Sequence, residues 1–154
     1  MNAFGIPLLS LCFVAGACAA GPDQATAPAA GDTTSDCGRI SVFDVAPRSQ
    51  DLYRAKLLNI DGELAGPTGA KSFRVKPGKR VLQVAELIDS EQFNDVQLRQ
   101  RDMRSDPYKD LVVDVQPGTT YLLAARLVPA RRNYITDGSY WEPVIYQQNS
   151  EPCH

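Results

Sequence analysis

Residues 75–87 read V-K-P-G-K-R-V-L-Q-V-A-E-L, and residues 115–127 read V-Q-P-G-T-T-Y-L-L-A-A-R-L. The two stretches align without a gap at an offset of 40, and six positions coincide. Proline sets φ at the second position of a turn and glycine accepts a positive φ at the third, so each Pro-Gly pair predicts a type II turn. Short apolar runs flank both turns, which makes each stretch a strand, a turn and a strand. The expectation is two β-hairpins. Either two hairpins obey one turn rule, which is the preferred reading, or two pseudo-symmetric units contribute one hairpin each. Two copies are too few for a solenoid or a propeller.

Further strand patterns lie on either side. Residues 39–46 carry Ile40, Val42, Phe43 and Val45. Residues 52–60 alternate Tyr53, Ala55 and Leu57 with Arg54, Lys56 and Leu58, and end at Asp61-Gly62. With residues 71–75, 80–88, 110–115, 120–128 and 140–147 they predict an all-β domain, a small antiparallel β-sandwich. Pro143 places the last strand at an edge or a bulge. The arrangement of an apolar strand, x-Pro-Gly-x and a second apolar strand, used twice, is similar to prealbumin-like and Ig-like envelope modules. That resemblance implies an architecture and no activity. Residues 89–109 break the pattern with a high density of charge. They predict a polar connection, as a short helix with Ser90 as N-cap or an edge strand at 96–101. A solvated face is the preferred reading there, and a binding loop the alternative.

The N-terminus reads as an export signal. Residues 1–20 hold no charged side chain, residues 3–14 are mainly apolar, and small residues follow. The apolar run is short and broken by Gly5 and Pro7, so a permanent span is not expected. At Ala15-Gly16-Ala17-Cys18 the chain resembles a bacterial lipoprotein precursor, whose lipobox ends on the cysteine that receives diacylglycerol. Ala15 stands where that family prefers leucine. The resemblance covers residues 1–18 and implies a lipid on Cys18. The alternative is ordinary cleavage, since Ala15-Gly16-Ala17 and Ala17-Cys18-Ala19 are both A-x-A sites. Residues 19–36 contain no aliphatic side chain larger than alanine and no aromatic. Such a stretch buries too little apolar surface to offset its ordering entropy and predicts a flexible linker.

Four cysteines are present. Cys12 departs with the signal and Cys18 is the lipid site, so Cys37 and Cys153 remain, bracketing the domain at residues 37–154. In an exported protein such a pair predicts a disulfide. In the chain-entropy model, closing a loop of about 115 residues stabilises the fold by up to about 4–5 kcal/mol.

The net charge is −2, and three acids precede Cys37, so the domain itself is near neutral. That gives no electrostatic grip on nucleic acid. The single histidine, His154, leaves no Ser-His-Asp or Cys-His set and an incomplete zinc shell, so no metal or cofactor is expected. The acids are scattered; a carboxylate pair such as Asp102 with Asp106 is a candidate for acid–base chemistry or Ca²⁺, and no spacing resembles an EF-hand loop. Arg131 and Arg132 are candidates to hold an anion, and Tyr140 and Trp141 to stack on a sugar or peptide, against a core role for Trp141. The expected function is non-enzymatic: a structural, accessory or binding lipoprotein of the bacterial cell envelope. Its expected partners are the membrane, through the lipid, and another envelope protein or cell-wall component. The expected place is the periplasmic face of the outer membrane rather than the inner. The alternatives are a secreted or periplasmic soluble binding module and a small carboxylate-dependent hydrolase. Mass spectrometry of the mature protein should find a diacylglyceryl group on Cys18; an unmodified N-terminus at Cys18 or Ala20 would remove the anchor from this account.

Overall fold

The computed structural model describes residues 37–42 and 47–151. Residues 1–36, which hold the expected signal, the lipid site Cys18 and the expected linker, lie outside the described residues, as do residues 43–46 and Cys153. Eight strands and one helix follow in chain order: β1 (Gly38–Val42), β2 (Leu52–Ile60), β3 (Glu63–Leu64), β4 (Ser72–Val75), β5 (Gly78–Leu87), α1 (Asp95–Asp102), β6 (Tyr108–Val115), β7 (Thr119–Leu127) and β8 (Trp141–Ser150). The all-β class holds in its coarse form, and seven of the eight strands coincide with the apolar runs to within a few residues. β3 is a two-residue addition that follows the Asp61-Gly62 turn. The charged segment forms a helix, but its N-cap is Asn94 rather than Ser90. The Asn94 side chain accepts from the Gln97 amide and the Gln97 side chain accepts from the Asn94 amide, a reciprocal capping box.

The strands form one mixed sheet in the order β4-β1-β7-β2-β5-β6, with β3 added to β2 and β8 added to β7. Two expectations need correction. The sheet is not purely antiparallel, because β1 and β7 run parallel, with Arg39 opposite Thr120 and Val42 opposite Leu123. Nor do the Pro-Gly turns close hairpins. β4 pairs with β1, whereas β5 pairs with β2 and β6. β6 pairs with β5, whereas β7 pairs with β1, β2 and β8. Each Pro-Gly turn is therefore a corner that carries the chain between strands with different partners. The cause lies in twist. Tight hairpins use type I′ or II′ turns, and the type II geometry of Pro-Gly splays its flanking strands apart.

The corners are built alike. Gly78 and Gly118 have φ of 101° and 61°, which a side chain would oppose. At the first corner Arg80 donates from Nε to the Lys76 carbonyl (2.9 Å) and from Nη2 to the Pro77 carbonyl (2.7 Å). At the second, the Tyr121 hydroxyl accepts from the Gln116 amide (2.8 Å) and donates to the Asp114 carbonyl (3.1 Å). Gly78 sits opposite Val115, so both corners lie at one end of the β5–β6 ladder.

One apolar core is shared by both halves of the sheet. Ile40, Phe73, Tyr121, Leu123 and Trp141 come from one half, and Leu57, Leu82, Val84, Val113 and Val115 from the other. Strand alternation sends these side chains to one face. A smaller cluster of Leu52, Ala124, Val144 and Tyr146 covers the opposite face of β7. Gly38 admits the closest approach: a Cβ there would lie 2.3 Å from Val115 Cγ1 and 3.0 Å from the Gln116 carbonyl oxygen. Gly38→Ala should cost about 1–3 kcal/mol, the usual range for overpacking a tight contact. Thermal unfolding should record a midpoint several degrees lower, and an unchanged midpoint would show that β1 does not pack against the corner as described.

Candidate functional site

Two features are built from side chains rather than from the ladder alone. The first surrounds Glu86. On β5 the inward positions are Leu82, Val84 and Glu86, so the strand's period carries a carboxylate into the interior. Only 5% of the Glu86 side chain is exposed. Its Oε1 accepts from Arg101 Nε (2.6 Å) and from the Tyr140 hydroxyl (2.6 Å). Its Oε2 accepts from Arg101 Nη2 (2.6 Å) and from the Ile88 amide (2.8 Å). Arg101 also donates to the Ile88 carbonyl, and Arg104 donates to the Tyr140 hydroxyl (2.8 Å) and the Asp106 carbonyl (2.6 Å). Phe93 meets Tyr140 edge to face at 5.5 Å, with the Arg101 guanidinium 4.9 Å from the Phe93 ring centroid.

This cluster is a latch. It clamps α1 and its flanks onto β5 and the segment before β8, and every lone pair direction on Glu86 has a donor. A carboxylate so buried and engaged has no open face for a substrate. Tyr140 is held protonated, its pKa raised above the usual 10.0 by burial and then by Glu86.

Of the residues singled out in the sequence, Tyr140 belongs to this cluster, and Trp141 and Arg132 take structural roles near it. Tyr140 and Trp141 are fully buried, so neither ring is offered to a sugar or peptide at the surface. Lys109 lies 5.2 Å from the Trp141 ring centroid and donates to the Trp141 carbonyl (2.6 Å). The Lys109 pKa is lowered by burial and then by Arg104. Arg132 donates to the Gln92 carbonyl and side chain, and its own carbonyl accepts from Gln97. Arg131 is exposed. The four residues thus form no common surface. The Asp106 side chain accepts from the Tyr108 amide, and among the described residues no group of three His, Cys, Asp or Glu could hold a metal ion.

The second feature is a groove of about 360 Å³. It opens where β2 parts from β7. Leu52 and Tyr53 pair with Arg126 and Ala125, after which β2 turns to β5. Apolar walls come from Val42, Leu57, Leu58, Leu64, Phe73 and Leu87, with the loop at 66–71 along one side. Three cations, Arg54, Lys56 and Lys71, line it and no carboxylate does. Arg54 and Lys56 enter no ion pair among the described residues. Leu64 is 86% exposed and Leu87 is 41% exposed, so apolar surface continues beyond the mouth. A small apolar cleft with a few polar groups suits a bound ligand. Its lining offers no Ser, Cys, His, Asp or Glu for chemistry. The sequence reading missed this site. The available signals were the doubled apolar pair Leu57-Leu58, which breaks alternation where the β2 register shifts, and the unaccompanied Leu64.

Protonated Tyr140 ties the latch to pH. Folding raises its pKa, so the folded state keeps a proton that the unfolded chain releases above about 10. Stability is fully present below that value and falls as pH rises beyond it. Urea unfolding at neutral pH and at pH 11 should show Tyr140→Phe losing less stability on alkalinisation than the wild type; equal losses would contradict the assignment. Glu86→Ala should cost about 3 kcal/mol at neutral pH, because Arg101 is left half-buried and unpaired. No protein-family model, no curated protein and no solved structure matches the chain.

Proposed function

We propose that this chain is an exported, lipid-anchored envelope protein with a non-enzymatic binding role, and that the groove beside β2 is its binding element. The groove itself carries the reading: an apolar cleft rimmed by Arg54, Lys56 and Lys71 and lined by no carboxylate. That lining favours holding a ligand over hydrolysing one. The anchoring half of the proposal rests on the resemblance of residues 15–18 to a lipobox, with residues 19–36 as the tether between lipid and domain. Among the described residues no helix is long and apolar enough to cross a membrane. A secreted soluble binding module is the same reading without the lipid.

The domain is proposed to be a β-sandwich of the prealbumin-like or Ig-like kind, stapled Cys37–Cys153. A core shared by the two halves of the sheet supports the sandwich. Two hydrogen bonds support the staple. The Gly118 amide donates to the Cys37 carbonyl (2.9 Å), and the Glu151 amide donates to the Gly118 carbonyl (2.8 Å). Both ends of the described domain, Cys37 and Glu151, therefore meet at one glycine, which favours the pairing of Cys37 with Cys153.

A photo-crosslinking residue placed at Leu64, in intact cells, should capture discrete adducts. The same residue placed at exposed Asn149 on β8 should not. Equal capture from both positions, or none from Leu64, would contradict the groove as the binding element.

A further inference from the structure

Resting on the binding reading above, we propose that the groove takes an extended, acidic peptide segment of another envelope protein as an added strand on the free edge of β2. β2 pairs with β5 from Arg54 to Ile60. On the edge away from β5, β3 covers only Asn59 and Ile60, and the Ala65 amide donates to the Leu58 carbonyl. Among the described residues, positions 54–57 have no partner strand on that side, and this stretch borders the groove.

An edge whose backbone N–H and C=O groups meet no strand among the described residues, beside apolar walls, calls for hydrogen-bonding partners, since leaving such groups dry is costly. An extended peptide supplies donors and acceptors at the strand spacing, as in other cases of strand addition. An acyl chain can fill the apolar walls but cannot satisfy that edge. The period of two then sorts the guest's side chains. One set faces the walls formed by Phe73, Leu57 and Val42. The other set lies on the outer face next to Arg54 and Lys56, where acidic side chains make favourable cross-strand pairs. The same cations disfavour pairing of this edge with the identical edge of a second copy, because like charges would then be juxtaposed. Leu64 and Leu87, exposed at the mouth, extend the contact to a further apolar side chain of the guest.

The test titrates the protein, purified as the cell produces it and labelled with ¹⁵N, with a pool of short peptides alternating Asp or Glu with Val, Ile, Tyr or Phe. Backbone shifts should move at residues 54–58, 64–73 and 87 and stay unchanged around Arg101 and Tyr140. Methylating alternate peptide nitrogens should abolish binding, because it removes the ladder donors. The Arg54→Glu/Lys56→Glu variant should bind the acidic pool about tenfold more weakly and gain affinity for a basic pool, with its melting temperature retained. Equal binding of the N-methylated peptides, or of acidic and basic pools, would overturn strand addition. Dodecyl phosphate shifting the groove residues while the peptides do not would overturn it too, yet leave the groove as a binding site. Silence of both probes at these residues would overturn the peptide proposal and the binding reading together.

Discussion

The fold depends on β7, the strand to which both ends of the domain are tied. Residues 120–125 are buried without a break. Along one edge β8 follows it for its whole length. Along the other edge β1 and then the start of β2 follow one another, the first parallel and the second antiparallel. Its two faces look into the main core and into the smaller Leu52–Ala124 cluster. A strand so enclosed has its backbone groups satisfied by ladders and its side chains by packing, and the remaining elements take their places from it. Because β1 pairs parallel to it, Cys37 arrives at Gly118, and because β8 pairs antiparallel, Glu151 arrives at the same residue.

The function proposed here follows from how β2 leaves that strand. Two residues of β2 pair with β7, and the rest diverges toward β5, which opens the groove. Strand alternation then separates binding from stability. Glu86 and Leu87 are consecutive on β5, yet Glu86 turns inward to the latch and Leu87 turns outward to line the groove. The latch spends its charges on itself: a bidentate Arg101 and a phenol leave the carboxylate saturated. Arg54 and Lys56 are the opposite case, cations placed beside apolar surface that meet no carboxylate among the described residues.

Much of the strand inventory was legible from the sequence, because period-two patterning and turn chemistry are local. Residues 52–60 coincide with β2 at both ends. The uninterrupted apolar run of residues 121–125 announces a strand covered on both faces. Partnership was not legible in the same way. The Pro-Gly turns suggested hairpins, although the type II geometry they favour is the one that splays strands, and that detail was the readable clue to a corner. The parallel pairing of β1 with β7 joins residues some eighty positions apart in sequence, and no local pattern encodes such a contact. At the candidate sites, Tyr140 and Trp141 look like binders or core residues on composition alone, and only their place before and at the start of β8 decides for the core. Glu86 could have been flagged as a charge at an inward position of β5. The groove left only the Leu57-Leu58 pair and Leu64 as signs, since it is a gap between elements distant in the chain.

Both Pro-Gly segments are corners between strands with different partners, not hairpins. Backbone α-proton and amide contacts measured by NMR test it most directly. The account predicts contacts across Ile40 and Tyr121 in the parallel pattern and across Val81 and Val112 in the antiparallel one. Antiparallel backbone contacts between Phe73 and Leu82, and between Val113 and Leu122, would mean that the turns close hairpins and would contradict it.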